Sequence, residues 1–184
     1  MQSSSPLLLD ACVVLSLYAT RRMEDILRVN EGPHLVAEAV MRESLYVHVV
    51  VEGVREKELV ALDPFLSTGL LTMVEPATDD EFGTLFELSL QLDDGEAMSC
   101  AIALHRGCRI ATVDGKTIRL LNQRLPKHHL PIVSTLDLVR QWADVTKASP
   151  VQVRAALLGI VDRGYVPAAA HIHYRWWRQM LGIQ

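Results

Sequence analysis

Residues 92–121 read LDDGEAMSCAIALHRGCRIATVDGKTIRLL. Ala97, Cys100, Ala101 and Leu104 recur at helical spacing. Asp93, Asp94 and Glu96 put negative charge at the start of that helix, where the backbone dipole favours it. Gly107 stands where a helix-terminating glycine belongs. Residues 108–113 then read as a strand that ends on Asp114, and residues 116–125 as the next helix. A helix, a strand and a helix in direct succession indicate a parallel sheet with helical crossovers.

The same alternation runs through the rest of the chain. Leu7-Leu8-Leu9 is an all-apolar run of the kind found in strands buried on both faces, and it ends on Asp10. Helices are expected from residue 11 to near Arg21-Arg22 and over residues 23–28. A short strand is expected at 34–36 and a helix at 37–45 carrying Glu43. Residues 45–71 are ambiguous: 46–51 are β-branched, but 52–62 look helical, and helix is the favoured reading. A strand at 70–74 precedes Thr78-Asp79-Asp80-Glu81, a capping box for a helix to about 92. Residues 131–134 form a last strand and 136–145 a helix. Ser149-Pro150 is a cap and first-turn proline opening a helix to 163, and Pro167 precedes a final helix ending near 181. The expected fold class is α/β, a three-layer α/β/α sandwich around a central, mostly parallel sheet. Residues 1–184 are read as a single domain, with 137–184 a C-terminal helical extension.

Composition narrows the function. The hydrophobic fraction is 49% and the aromatic fraction 5%, so the core is built from Leu, Val, Ile and Ala. The net charge of -4 does not advertise a nucleic-acid-binding surface. Four clustered site carboxylates would account for that whole excess. The three cysteines lack metal-ligand spacing and read as reduced thiols of a cytoplasmic protein. No apolar run reaches the length of a membrane span, and the first residues lack the basic start of a signal peptide.

Asp10, Glu43, Glu96 and Asp114 are the candidate catalytic residues. Open parallel sheets carry their sites at the carboxyl ends of their strands, where Asp10 and Asp114 fall. Each acid also has a plainer role: Asp10 and Asp114 as helix caps, Glu96 as a first-turn charge, Glu43 as a solvated helix residue. Asp94 reads as the cap of its helix. Converging carboxylates repel and raise one another's pKa, so a stable cluster requires a cation. Hard ions such as Mg²⁺ and Mn²⁺ match oxygen ligands. Thr112, two residues before Asp114, is placed to orient a carboxylate or water. Arg119, Arg124, Lys127, His128 and His129 form the best basic stretch for phosphates, and Arg21 and Arg22 offer another. Zinc is not expected, because neither His171-x-His173 nor His128-His129 has a cysteine nearby. Trp176 or Trp177 is expected to anchor the final helix.

The sequence also resembles the PIN-domain proteins, metal-dependent ribonucleases that include VapC-type toxins. LLLDACVVLSLY is similar to that family's opening strand, first acid and helix. HLVAEAVMRES is similar to its second strand and helix, with Glu43 at the second acid and Glu38 the nearby alternative. Residues 92–121 give the strongest likeness, with Glu96 and Asp114 at the third and fourth acids. LPIVSTLDLVRQWA resembles the segment that follows the site in a subgroup. The resemblance implies one or two Mg²⁺ or Mn²⁺ ions held by Asp10, Glu96 and Asp114. It implies Glu43 as a further catalytic acid and RNA as substrate; Thr112 and Arg119, by their positions around Asp114, are the candidate substrate-binding residues. It further implies a possible antitoxin or other protein partner, and a possible homodimer. Many relatives carry another aspartate where this chain has Gly115, and about forty residues after Trp142 lie beyond the motifs. A PIN-like binding module with weak or no nuclease activity, acting through protein partners, is the alternative.

Overall fold

The computed structural model describes residues 5–43, 45–51, 53–124 and 131–183. Among them the elements run β1 (Leu7–Leu9), α1 (Ala11–Ala19), α2 (Met23–Val29), β2 (His34–Ala37), α3 (Glu38–Arg42), β3 (Tyr46–Val51), β4 (Val54–Leu59), α4 (Asp63–Ser67) and β5 (Thr72–Val74). They continue with α5 (Asp79–Ser89), α6 (Asp94–Arg106), β6 (Arg109–Ala111), α7 (Gly115–Arg124), β7 (Ile132–Val133), α8 (Thr135–Thr146), α9 (Pro150–Asp162) and α10 (Tyr174–Leu181). The chain divides into two compact units. The first takes Met1–Val14, Glu31–Ser44 and Ala61–Ser134; the second takes Leu15–Asn30, Leu45–Val60 and Thr135–Gln184.

The first unit is built on a five-stranded sheet in the order β5-β2-β1-β6-β7, parallel throughout. Helices flank it, which is the α/β arrangement of a three-layer α/β/α sandwich. Leu7, Leu8 and Leu9 are fully buried because β1 is central, with Leu8 paired to Leu35 on one side and Ile110 on the other. Helix α6 packs on β1, β2 and β6. Its inward residues are small: Ala97, Cys100 and Ala101 are all fully buried. Leu88, Leu92, Ile110 and Leu121 complete that core.

The second unit packs α2 on α8 and α9 on α10. Asn30 ties the first pair, its amide donating to the carbonyls of Ile26 at 2.7 Å and Leu138 at 3.5 Å. At Gly159 a Cβ would run into the carbonyl of Ala19, so only glycine lets α9 come this close. Ser149 and Gln152 form the expected cap of α9 as a full capping box. Trp177 is buried, whereas Trp176 lies partly exposed with the Arg140 guanidinium 4.9 Å from its ring centre.

Three expectations are corrected here. Residues 45–71 are not mostly helical. β3 and β4 form an antiparallel hairpin in register from Tyr46↔Leu59 to Val51↔Val54, and only the short α4 follows. The β-branched run of β3 prevails, and Gly53, at φ 83, supplies the left-handed turn that a two-residue hairpin loop needs. The helix after β2 ends at Arg42, so Glu43 is its C-cap in extended conformation rather than a helix-face residue. The cap of α6 is Asp93, one residue before Asp94. Among the described residues no helix is long and apolar enough to cross a membrane.

Candidate active site

β1 and β6 lie side by side, and the chain leaves them in opposite directions, from β1 toward β2 and from β6 toward β7. The crossovers that follow them therefore diverge, and open α/β sheets bind ligands in the crevice at such a switch point. Asp10 is the first residue beyond β1 and is 2% exposed. Its backbone N–H donates to the Ala111 carbonyl at 3.0 Å, which fixes it to the end of β6. Its carboxylate is held by three donors: the Ala11 N–H at 2.7 Å on Oδ1, and the Thr112 hydroxyl at 2.8 Å and Cys12 thiol at 3.1 Å on Oδ2. Burial pushes the Asp10 carboxyl above its ordinary range, those donors pull it back, and the charge of Asp114 adds to the rise.

Thr112 is almost fully buried, and its oxygen also accepts the Asp114 N–H at 3.2 Å. One threonine thus ties both strand-end aspartates together. β6 ends at Ala111, so this happens beyond the strand and not along its face. Asp114 serves as a helix cap as well: its Oδ1 accepts the Thr117 N–H at 2.6 Å.

Glu96 comes to the same place by a different route. Helix α6 directly precedes β6 and runs back along the sheet, so its first turn lies at the carboxyl end. The Glu96 carboxyl is pushed up to about 7, first by burial and then by the charges of Asp10, Asp114 and Asp93. A hydrogen bond from the Asp93 N–H opposes this, so part of the plainer capping role is also realised. Glu43 reaches the cluster from the end of α3. Burial and the charges of Asp10, Asp93 and Asp94 raise its pKa. Its Oε1 lies against Gly95, in space that a Cβ there would occupy. Glu38, the alternative, instead pairs with Arg42 on its own helix.

All four predicted acids therefore belong to the first unit and act on one another electrically. They do not already form a ligand shell: among the described residues no three His, Cys, Asp or Glu are grouped to hold an ion. Mutual repulsion opposes their closer approach unless a cation neutralises it. The donor set itself is all hard oxygen and suits Mg²⁺ or Mn²⁺.

The basic candidates fare differently. Arg119 is exposed on α7, which begins directly after Asp114. Lys127, His128 and His129 lie outside the described residues. Arg21 belongs to the second unit and binds both oxygens of Glu58 at 2.6 Å, and Arg22 pairs with Asp25 at 3.4 Å. Both guanidiniums are thus engaged by carboxylates. His173, half of the spaced histidine pair, sits 3.2 Å from Asp137.

Sequence reasoning missed two residues. Cys12 appeared as one more buried thiol, yet it holds Asp10, and burial with that neighbouring charge pushes its own pKa up to about 12. Gly95 appeared as part of a helix start, yet its bare Cα makes room for Glu43. The i, i+2 spacing of Asp10 and Cys12 was the available signal for the first. Comparison with known proteins finds no match to a family model, a curated protein or a solved structure.

Proposed function

We propose that this chain is a Mg²⁺- or Mn²⁺-dependent ribonuclease that hydrolyses RNA phosphodiester bonds in the cleft beyond β1 and β6. One observation carries the reading. Carboxylates distant in sequence face one another where the crossovers diverge, and the charges acting on Glu96 are those of Asp10, Asp114 and Asp93. RNA as the substrate class rests on the PIN-like motifs described above.

Asp10, Glu96 and Asp114 would hold the ion, and Glu43 would ligate or bridge through water. A divalent cation so held lowers the pKa of a bound water and neutralises charge at a phosphodiester. The chain's own part is to keep its ligands ready. Thr112, Cys12 and Ala11 fix the Asp10 carboxylate, Thr117 fixes one oxygen of Asp114, and Gly95 leaves space for Glu43. Thr112 then acts by positioning Asp10, and Arg119, exposed on α7, would meet phosphate at the surface. Three cysteines that form no disulfide support the cytoplasm as the compartment.

The second reading, a binding module of the same fold, is favoured by the cap that Asp114 makes and by Gly115 beside it. Cleavage of several labelled RNA classes with and without Mg²⁺ or Mn²⁺ separates the two, comparing the native chain with Asp114→Asn. Asparagine still caps α7, so the fold survives. Cation-dependent cleavage lost in the variant supports the nuclease. Equal cleavage by both proteins, or none by either, leaves the binding module.

A further inference from the structure

Helix α5 is used on two sides. Its inner side packs on α6 through the fully buried Leu88, through Thr84 at 2.8 Å from His105, and through Glu81 at 2.7 Å from Arg106. Its outer side carries Phe82, Phe86 and Leu90, which are 53%, 72% and 75% exposed. They lie four residues apart, in one stripe along the helix. A surface helix ordinarily turns polar residues outward. This one displays two of the chain's three phenylalanines. Phe82 and Phe86 also line a groove of about 400 Å³, together with Ala39, Arg42, Leu85, Asp94 and Met98.

The charge around the stripe is mainly negative; Arg42 also lines the groove but pairs with Glu38 on its own helix. Residues 58–105 hold ten Asp and Glu and no Lys or Arg. Asp79 and Asp80 are exposed at the start of α5, and Asp93 and Asp94 are exposed beyond its end. Such a face repels nucleic acid and anionic lipid, and it attracts a cationic partner. Its size also discriminates. Two partly exposed phenylalanines and a leucine offer roughly 300–500 Å², below the about 800 Å² per partner of a stable two-protein interface. A single helix seated in the groove fits that area better than a second copy of the chain.

We propose that the outer face of α5 and its groove dock an amphipathic helix of a protein partner, its apolar stripe flanked by Lys and Arg. This goes beyond the hydrolytic reading and holds whether or not the cleft binds a cation. The test uses two fluorescent helical peptides with the same leucine stripe, one flanked by Lys and one by Glu. Anisotropy with the whole chain should show the Lys peptide bound about tenfold or more tightly than the Glu peptide. Phe86→Ser should weaken it about tenfold, and the pair Asp79→Lys and Asp80→Lys comparably. Glu24→Lys with Asp25→Lys, on α2, should leave it unchanged. These positions are exposed, and a thermal melt verifies that each variant stays folded. Binding that ignores Phe86→Ser, or that falls equally with the α2 changes, overturns the proposal. So does a monomer–dimer equilibrium in sedimentation that Phe86→Ser abolishes, since the occupant is then a second copy.

Discussion

Glu81 and Glu96 occupy the same position in consecutive helices, the third residue of α5 and of α6, and both reach back toward the chain before their own helix. Their environments are opposite. Glu81 is buried against the Arg106 guanidinium, which donates to both of its oxygens at 2.7 and 3.0 Å, and the Ala77 N–H adds a third bond at 2.6 Å. Its carboxyl is held down at about 2. Glu96 meets carboxylates where Glu81 meets a cation, and it rises to about 7. Helix position and residue type are the same, so only the partner differs. A carboxylate provided with its cation is a structural element. One set among other carboxylates is held at a cost in stability, and such groups are candidates for function.

Replacing Glu96 should separate those two roles most sharply. On the hydrolytic proposal Glu96→Gln removes a ligand, and cation-dependent cleavage should fall on the order of 10³-fold. The same variant should stabilise the cation-free protein. An unfolded glutamate ionises near 4.5, whereas the native one holds its proton to about 7. Between those values the native chain binds more protons than the unfolded chain, so stability falls as pH rises through that window. The penalty is complete above pH 7. Screened at this half-buried site, it amounts to about 1–2 kcal/mol. Urea unfolding in EDTA should show Glu96→Gln more stable than the native chain at pH 8 and level with it at pH 4.5. A destabilised variant at pH 8 would mean that Glu96 is chiefly a cap.

Glu81→Gln should behave in the reverse manner. It leaves Arg106 without its carboxylate and should cost about 2–3 kcal/mol at neutral pH. Cleavage per folded molecule should not change. Because the native carboxyl is depressed, its contribution is present above about 4.5 and is lost as pH falls toward 2. The gap between native and variant should therefore close in acid, as it does for Glu96→Gln, but with the opposite sign: here the native chain is the more stable one at neutral pH. A gap that is constant with pH would remove the ion pair from the account.

The sequence carried the comparison only halfway. β1 and β6 were legible because a run such as Leu7–Leu9 has no polar residue to give it a solvent face. The stop at Gly107 was legible from its helix, and it indeed adopts φ 63. The hairpin of 46–59 was not legible, because the alternating charges of VREKEL satisfy helical pairing as well as strand alternation. The acids themselves could be picked out as misfits at strand ends. The hydrogen bond from Thr112 to Asp10 could not, because it depends on β6 lying beside β1, and strand order is a long-range outcome. The partner of Glu81 was hidden for the same reason: Arg106 lies 25 residues further along the chain and reaches it only through the packing of α6 on α5.

Gly95→Ala tests whether Glu43 belongs with Glu96. The added methyl group would meet Glu43 Oε1, with Val40 Cγ2 at 3.2 Å. The carboxylate is the mobile end of a side chain and can swing aside. Alanine also suits a helix, so stability should change by less than about 1 kcal/mol. Cleavage should fall roughly tenfold if Glu43 assists the ion through water, a loss that Glu43→Gln should reproduce without adding to it. Additive losses in the double variant would show that Gly95 acts on something other than Glu43.

Gly115→Asp makes the smallest change and asks whether the Glu96 side of the comparison is short of an acid. A Cβ at Gly115 meets nothing within 4 Å, so the space is open. The position is the first of α7, where negative charge is favoured by about 0.3–1 kcal/mol. Opposing this is repulsion from Asp114 alongside, and the two should nearly cancel in the absence of cation. With Mn²⁺ present the balance tips, because a further hard oxygen beside Asp114 strengthens the site. Calorimetric titration should show Mn²⁺ bound a few-fold more tightly by Gly115→Asp than by the native chain, and cleavage rising with it at low Mn²⁺. Unchanged affinity would place the ion on the Asp10 side of the cleft, away from α7. Loss of affinity would mean that the extra charge holds Glu96 protonated more firmly than it recruits the cation.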